Sequence, residues 1–192
     1  VQWAFRSSRK TDNFYPTHFE FNSGWETMNR RETIALQSFI RNHDSERRPI
    51  KKADRESRAG EFPYYGASGI VDYIDGFIFD GRFLLVAEDG ENLNSRKLPI
   101  AFIAEGKFWV NNHAHVLSAI EGTSDLDFLC YAIKHNSLSG LITGTAQPKL
   151  SQSNLNQIQI VNFDYSEQNK IGSIARSIDD LIKNNERRIN IL

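Results

Sequence analysis

The sequence predicts an α+β fold: a twisted, largely antiparallel, barrel-like β-sheet with flanking helices and a long protruding C-terminal helix. Three observations carry that expectation. From Gly60 onward, short apolar runs are broken by Gly, Asp and Asn, the pattern of strands joined by tight turns. Ser124–His135 puts Leu126, Leu129, Cys130 and Ile133 on one helical face. Beyond Ser166, Ile171, Ile174, Ile178 and Leu181 recur at alternating spacings of three and four.

In chain order, residues 1–24 are aromatic-rich without a sustained period. Met28–Ile40 fits a helix carrying Ile34, Phe39 and Ile40. Arg41–Arg58 holds Arg47, Arg48, Lys51, Lys52, Arg55 and Arg58 among few apolar residues, so it cannot pack as a core element. It is a surface loop or arm, either a solvated charged face or a phosphate-contacting segment. Residues 62–69 form a tight loop fixed by Pro63, Gly66 and Gly69. Strands are expected at Ile70–Ile74, Phe77–Phe79, Phe83–Ala87, Ile100–Ala104, Phe108–Asn111, His115–Leu117 and Gln157–Val161. Asp75-Gly76, Asp80-Gly81 and Asp89-Gly90 read as turns, because both residue types tolerate positive φ, and Glu105-Gly106 reads as a hairpin connection. Ser124-x-x-Asp127 reads as the cap of the first long helix and Ser166 as the cap of the second. At 1.5 Å per residue, positions 167–192 span about 39 Å, longer than a small domain needs for packing. The apolar stripe, continued by Ile182, Ile189 and Leu192, is therefore either a docked terminal helix or one that needs a partner helix.

Composition narrows the function classes. The 192 residues suit one globular domain plus an appendage. Thirteen Phe, six Tyr and three Trp provide enough apolar mass to exclude disorder for most of the length. A single cysteine, Cys130, excludes an intrachain disulfide and a Cys-based zinc site, and suits a reducing cytoplasm. No run of about 18 apolar residues and no signal-peptide core are present, so neither membrane insertion nor secretion is expected. Val1 in place of Met points to a processed or cut N-terminus. The net charge of −1 excludes a uniformly basic binder. Locally, residues 1–60 hold twelve basic against eight acidic side chains, whereas residues 61–140 hold five against eleven, so the basic excess sits in the early segment.

Most catalytic templates find no match. No glycine-rich phosphate loop follows a strand, and no Gly-x-Ser-x-Gly elbow is present. Phe62-Pro63-Tyr64-Tyr65 lacks the acceptor residue that amino-methyltransferases place before Pro-Pro-Tyr/Phe, so the chain should not itself methylate. His113 and His115 would share a strand face, but no third ligand stands at metal-site spacing, and they read as structural. Asp89 with Glu105-Gly106-Lys107 resembles the Asp…Glu-x-Lys pattern of Mg²⁺-dependent nucleases, against the plainer reading of a polar hairpin turn.

Two long strings are more specific: FPYYGASGIVDYIDG at 62–76 and TGTAQPKLSQSNL at 143–155. The second gathers Thr143, Thr145, Gln147, Lys149, Ser151 and Asn154 into one polar loop, and long polar loops on a rigid scaffold usually carry function. With AEDGENLNSR at 87–96 and the Glu167-Gln168 helix start, these strings closely resemble the specificity subunit of type I restriction-modification enzymes. The resemblance runs through residues 60–183, thins over 25–59 and is absent from 1–24. Arg48-Pro49-Ile50 and Arg58-x-Gly60 look like the family's lead-in to its Tyr-Tyr-Gly-Ala-Ser-Gly loop, whereas Met28-Asn29-Arg30-Arg31 departs from the Leu-Gly-Asp-Ile-like string that members usually show.

The resemblance implies a chain without catalytic activity or bound cofactor. In the family, two target-recognition domains are separated by two conserved helices packed as an antiparallel coiled coil. Each domain reads one half of a bipartite site in double-stranded DNA. The subunit assembles with S-adenosylmethionine-dependent methyltransferase subunits and with ATP- and Mg²⁺-dependent restriction subunits. Residues 1–165 would then be one recognition domain and 166–192 the start of the first conserved helix. Ile171, Ile174, Ile178, Leu181, Ile182, Ile189 and Leu192 would face the second conserved helix, from the same full-length chain or from a dimer mate. Lys51, Lys52, Arg55, Arg58 and Lys149 are the candidates for backbone contacts. Planar or hydrogen-bonding side chains on loops are the candidates for base contacts: Tyr64, Tyr65, Ser68, Asn92, Asn94, Arg96, Asn112, Gln147 and Asn154. A pure assembly module, whose loops contact protein, is the remaining alternative.

Overall fold

The structure is a computed structural model and describes residues 31–189, so residues 1–24, the start of the expected Met28–Ile40 helix and Leu192 lie outside it. Its first elements correct that helix. Thr33–Ala35 form strand β1, Leu36–Ser38 a single 3-10 turn and Ile40–Asn42 strand β2. Leu36, Phe39 and Ile40 do enter one core, as helical spacing suggests, but a tight turn between two short strands delivers them there. Thr33 and Ile34 are β-branched and pair with Val161 and Ile160 of β8 (Gln159–Val161).

The main sheet has six strands. Besides β2 it contains β3 (Ala59–Gly66), β4 (Gly69–Ile74), β5 (Phe79–Ala87), β6 (Ala101–Val110) and β7 (Ala114–Ala119), in the order β2-β7-β5-β6-β3-β4. Every pairing is antiparallel except β3 with β6, which run parallel through Tyr64 opposite Trp109 and Tyr65 opposite Val110. The expected twisted, largely antiparallel sheet is therefore present. The loop expected at residues 62–69 is instead the end of β3 and a two-residue turn, Ala67-Ser68, into β4.

Two expected turns lie inside strands. Asp80-Gly81 falls within a continuous β5 and Glu105-Gly106 within a continuous β6, so the paired runs on either side of each are single strands rather than hairpins. Gly81 stands directly opposite Gly106, with φ of 139° and 80°. Facing glycines let both strands bend together without interrupting the ladder. The Phe83 ring covers Gly81 and meets Phe79 and Phe108 at centroid distances of 5.3 and 5.8 Å. Phe77 lies outside β5 and packs on the Phe62 ring instead.

The coiled sheet has a core on each face. Leu84 and Val86 of β5 face the larger one, with Leu117 of β7 and Leu129 and Ile133 of helix α3 (Leu126–His135), the third helix after the one-turn α1 (Lys52–Glu56) and α2 (Asn92–Ser95). Leu85 faces a second cluster with Phe79, Ala104, Phe108, Val110, Ala114 and Val116. This period-two alternation is what buries both sides of β5, and each Leu, Val or Phe so buried contributes about 1.5–3 kcal/mol.

Helix caps differ from expectation by one or two residues. The Asp125 carboxylate, not Ser124, accepts the Phe128 N–H at 2.8 Å, and the Ser124 hydroxyl donates to the Phe39 carbonyl. After the one-turn α4 (Gln152–Asn156), helix α5 (Tyr165–Ile189) is capped by Asp164 rather than Ser166. Asp164 Oδ1 accepts the Glu167 N–H at 2.8 Å while Glu167 Oε2 accepts the Asp164 N–H at 3.2 Å, a reciprocal capping box. Among the described residues, no helix is long and apolar enough to cross a membrane.

Candidate nucleic-acid interface

Three sequence strings that are far apart in the chain meet at one end of the sheet. The Asn111 N–H donates to the Tyr65 carbonyl at 3.0 Å, joining the end of β3 and its Ala67-Ser68 turn to the β6–β7 connection. That connection is tied to the end of β5 by Glu88 N–H to the His113 carbonyl at 2.9 Å and by His113 Nδ1 to the Asp89 carboxylate at 2.9 Å. Loop 143–150 closes the group, with Gly90 N–H to the Pro148 carbonyl at 3.0 Å and Leu150 N–H to the Glu88 carbonyl at 2.7 Å. Ser68, Asn112 and Gln147 are exposed on three of these four pieces, and their side chains hydrogen-bond to nothing among the described residues.

Beneath the loops lies a half-buried charge network. His115 is buried; its Nδ1 meets Asp44 Oδ2 at 2.6 Å and its Nε2 donates to the Leu150 carbonyl at 2.8 Å. Arg47 donates to Glu88 at 2.7 Å and to the Ala114 carbonyl at 2.7 Å, and Lys149 Nζ reaches Glu88 at 3.1 Å. Burial alone would raise the Asp44 carboxyl, but hydrogen bonds from His115, Val116 and Asn42 and the His115 charge hold it below its ordinary 3.8. Burial likewise opposes ionisation of Glu88, and Arg47 and Lys149 more than offset it. The network fixes the base of loop 143–150, so Lys149 is a partly exposed cation already paired with a carboxylate.

Asp44, Glu88 and His115 are the one group of metal-capable side chains brought together among the described residues. Arg47 and Lys149 supply the cationic charge there, and both His115 nitrogens are engaged, so the geometry is that of an ion-pair network. The Asp89, Glu105 and Lys107 constellation is not assembled. Glu105 lies opposite Arg82 in the ladder and pairs with it at 2.7 Å, while Asp89 lies seven residues further along from Arg82, on the order of 20 Å of extended chain. Lys107 covers the Phe77 ring at 4.7 Å.

The basic segment 48–58 wraps the β3–β4–β6 side of the sheet. Tyr64 is buried, and its hydroxyl accepts the Ile50 N–H at 3.0 Å. Arg55 lies over the Tyr64 ring at 4.8 Å, and donates to Asp72 and to the Ile50 carbonyl, each at 2.8 Å. Arg58 pairs with Asp75 at 2.8 Å and lies over the Trp109 ring at 5.2 Å, while Trp109 Nε1 donates to the Arg48 carbonyl at 2.5 Å. Tyr65 is half-buried between Phe102 and Phe108, and burial, then the nearby Tyr73, raises its phenol above the usual value. Lys51 and Lys52, at the start of α1, are exposed and without a side-chain hydrogen bond.

Other candidates are committed to the chain itself. Asn92 bonds both the N–H and the carbonyl of Leu98, at 2.8 and 2.9 Å, and so closes its own loop. Arg96, in the left-handed region at φ 50°, donates to the carbonyls of Lys134 and Asn136 at the end of α3. Asn154 Nδ2 donates to the Leu141 carbonyl at 2.6 Å. Of the candidates Asn92, Asn94 and Arg96, Asn94 is the exposed one without a side-chain hydrogen bond. Sequence reasoning missed Trp109 and the Asp44–Arg47–Glu88 network, whose Arg47–Glu88, Trp109–Arg48 and Asp44–His115 contacts span 41, 61 and 71 residues; no local spacing signals these.

The model of the family described as the type I restriction modification DNA specificity domain matches residues 24–192. Over 136 residues the chain is 35% identical to a putative type I restriction enzyme specificity subunit of Haemophilus influenzae; the match covers 70% of this chain and 34% of that protein. The chain thus spans about a third of the curated relative's length. The fold matches the type I restriction-modification S subunit of M. genitalium with a TM-score of 0.65 and 18% identity, over 85% of this chain and 43% of that one. A second match, to a chain from a structure on assembly and conformational transition of the type I R-M system, has a TM-score of 0.56 and 10% identity, covering 81% and 40%. With its sheet, its converging loops and the domain match in agreement, the chain belongs to the type I restriction-modification specificity-subunit family.

Proposed function

We propose that this chain is one target-recognition domain of a specificity subunit, reading one half of a bipartite site in double-stranded DNA. The carrying observation is the convergence of strings 62–76, 87–96 and 143–155 with the 111–113 connection into one loop surface that exposes Ser68, Asn112 and Gln147. Exposed amides and hydroxyls on loops braced from beneath suit readout of base edges. Lys51 and Lys52, with Asn94 beside the same loops in sequence, are the exposed groups without a side-chain hydrogen bond that complete the contact set; Lys51 and Lys52 would hold phosphates. Arg55, Arg58, Tyr64, Tyr65, Asn92, Arg96, Lys149 and Asn154 would act indirectly, by shaping that surface.

In this reading the domain, residues 1–165, is non-catalytic and holds no cofactor. S-adenosylmethionine chemistry belongs to methyltransferase partners, and ATP and Mg²⁺ to restriction partners, all in the cytoplasm. Residues 166–192 begin the spacer helix, whose stripe from Ile171 to Ile189 is 37–70% exposed and would be covered by a second conserved helix of the longer chain or a dimer mate.

The test is selection from a random duplex pool at low salt, with the chain alone and with its methyltransferase partner. Enrichment of a short motif that Gln147→Ala relaxes at one position is the expected result. Absence of any motif in both arms overturns DNA reading and leaves the assembly role, in which loop substitutions break methyltransferase binding.

A further inference from the structure

Helix α5 is attached to the body in an unusual way. Its buried residues among those described are Gln168 and Gly172, neither of which is a large apolar side chain. Directional polar contacts hold it instead. Gln168 accepts the Asp125 N–H at 3.1 Å and donates to the carbonyls of Thr123 and Phe163 at 3.2 and 2.8 Å. One turn on, a Cβ at Gly172 would collide with the Asp125 carboxylate and stand 2.7 Å from the Phe128 nitrogen, so the glycine sets how closely the helix meets the start of α3.

The next two turns carry charge. Arg176 reaches Glu105 at 3.4 Å and Asp127 at 3.7 Å. Both carboxylates are also held by Arg82, at 2.7 and 2.5 Å, so one acidic pair lies between an arginine of the sheet and an arginine of the helix. Asp179 accepts the Tyr131 hydroxyl at 2.6 Å and faces Lys134 at 3.5 Å, both on α3. A cleft of about 410 Å³, lined by these groups and by Tyr65 and Phe102 of the sheet, lies between α5 and the body, so the contacts bridge a gap that side-chain packing does not fill. Beyond Asp180, Lys183 lines the same cleft and its charge acts on Glu105, while no side-chain hydrogen bond ties the later described residues of α5 to the body.

At about 100° per residue, Gln168, Gly172, Arg176 and Asp179 share one face, and the exposed stripe Ile171, Ile174, Ile178, Leu181 and Ile182 is centred about 120° away. We propose that Arg82, Glu105, Asp127 and Arg176, together with Tyr131 and Asp179, form a polar brace that fixes the tilt and rotation of α5 on the domain and so aims its apolar stripe. These are positioning residues. Apolar packing would tolerate rotation by a few degrees, whereas hydrogen-bonded ion pairs lose their geometry with it. The brace itself does not depend on DNA reading; its consequence, which rests on that reading, is that the brace couples the recognition surface to the direction of the spacer helix.

The test is a distance measurement on the full chain without DNA, so it fails independently of the proposed function. Cysteines introduced at the exposed positions Asn94 and Asn185 take nitroxide labels, while native Cys130 is buried. Asn185 lies about 20 Å along the helix from Gly172, so a tilt of about 10° moves it about 3 Å. Pulsed electron resonance should give one narrow distance, and Arg176→Ala with Asp179→Asn should broaden or displace it by about that much. Arg176→Lys should leave it narrow, and the near-ultraviolet dichroism of the body should be unchanged in every variant. Thermal melting separates any variant that fails to fold; for that case, 1 M salt applied to the unsubstituted chain provides the second arm and should broaden the distance. An unchanged distribution in both the double variant and high salt overturns the brace, as does a broad distribution in the unsubstituted chain.

Discussion

The imidazole of His115 meets the Asp44 carboxylate at 2.6 Å beneath the loop whose Leu150 carbonyl its other nitrogen holds at 2.8 Å. One buried side chain thus joins a second 3-10 turn after β2 (Asp44–Glu46), strand β7 and the polar loop. The loop's position depends on electrostatics as well as on backbone pairing.

That pair sets an acid dependence. The Asp44 carboxyl is depressed in the folded chain, so its stabilising contribution is complete above the unfolded value and is lost as pH falls through the folded one, below 3.8. Asp44→Asn should lower unfolding free energy by about 2–4 kcal/mol near neutral pH. Urea melts from pH 7 to pH 3 should show the gap between the two proteins constant above about pH 5 and shrinking below the ordinary carboxylate range.

Gly172 offers a test in which two effects oppose each other. Ala in a helix interior is favoured over Gly by about 1 kcal/mol on propensity. The methyl group would strike Asp125 and the Phe128 amide, so Gly172→Ala should instead destabilise by about 1–3 kcal/mol. Urea denaturation of Gly172→Ala reads the sign directly.

Exposed cations without a hydrogen bond and cations committed to the fold should separate in DNA-binding experiments. Lys51→Ala and Lys52→Ala should each lower the salt slope of binding by about 1, evenly across sequences, without changing the melting temperature. Arg55→Ala should lower melting by about 2–4 °C, because it removes the group that holds Asp72 and the Ile50 carbonyl and covers Tyr64. Salt titrations beside thermal melts distinguish the two outcomes.

Cys130 should be inert in the folded chain. Burial is the first cause that pushes its thiol up to about 11, far above the pH of ordinary labelling. A maleimide reagent at pH 7 should modify it at least about 100-fold more slowly in buffer than in denaturant, since reaction requires both opening and ionisation.

Much of the architecture was legible because the signals are local. The face Leu126, Leu129, Cys130 and Ile133 is set by helical period and is buried as expected. The stripe on α5 is likewise visible as spacing, and it is exposed because none of the described residues packs over that face. Glycine signals misled where their local meaning is ambiguous. Asp80-Gly81 and Glu105-Gly106 have the composition of turns, and only their placement opposite each other turns two apparent hairpins into one bent ladder. Capping also failed at short range: Ser124 and Ser166 are good caps in isolation, but Asp125 and Asp164 stand where the helices actually start.

The sequence by itself determined the class of fold, the buried helix face, the long amphipathic tail and, through strings 62–76, 87–96 and 143–155, the family. Those features depend on neighbours within a turn or a strand, where spacing is geometry. Tertiary structure decided which candidate side chains remain free. Arg55, Asn92, Arg96, Lys149 and Asn154 look in sequence like Lys51, Asn94, Asn112 and Gln147, but the first group meets carboxylates or carbonyls brought in by the fold. It also decided the direction of α5, because the Arg176 contacts with Glu105 and Asp127 join residues 71 and 49 positions apart, and such pairs exist only once the sheet has closed.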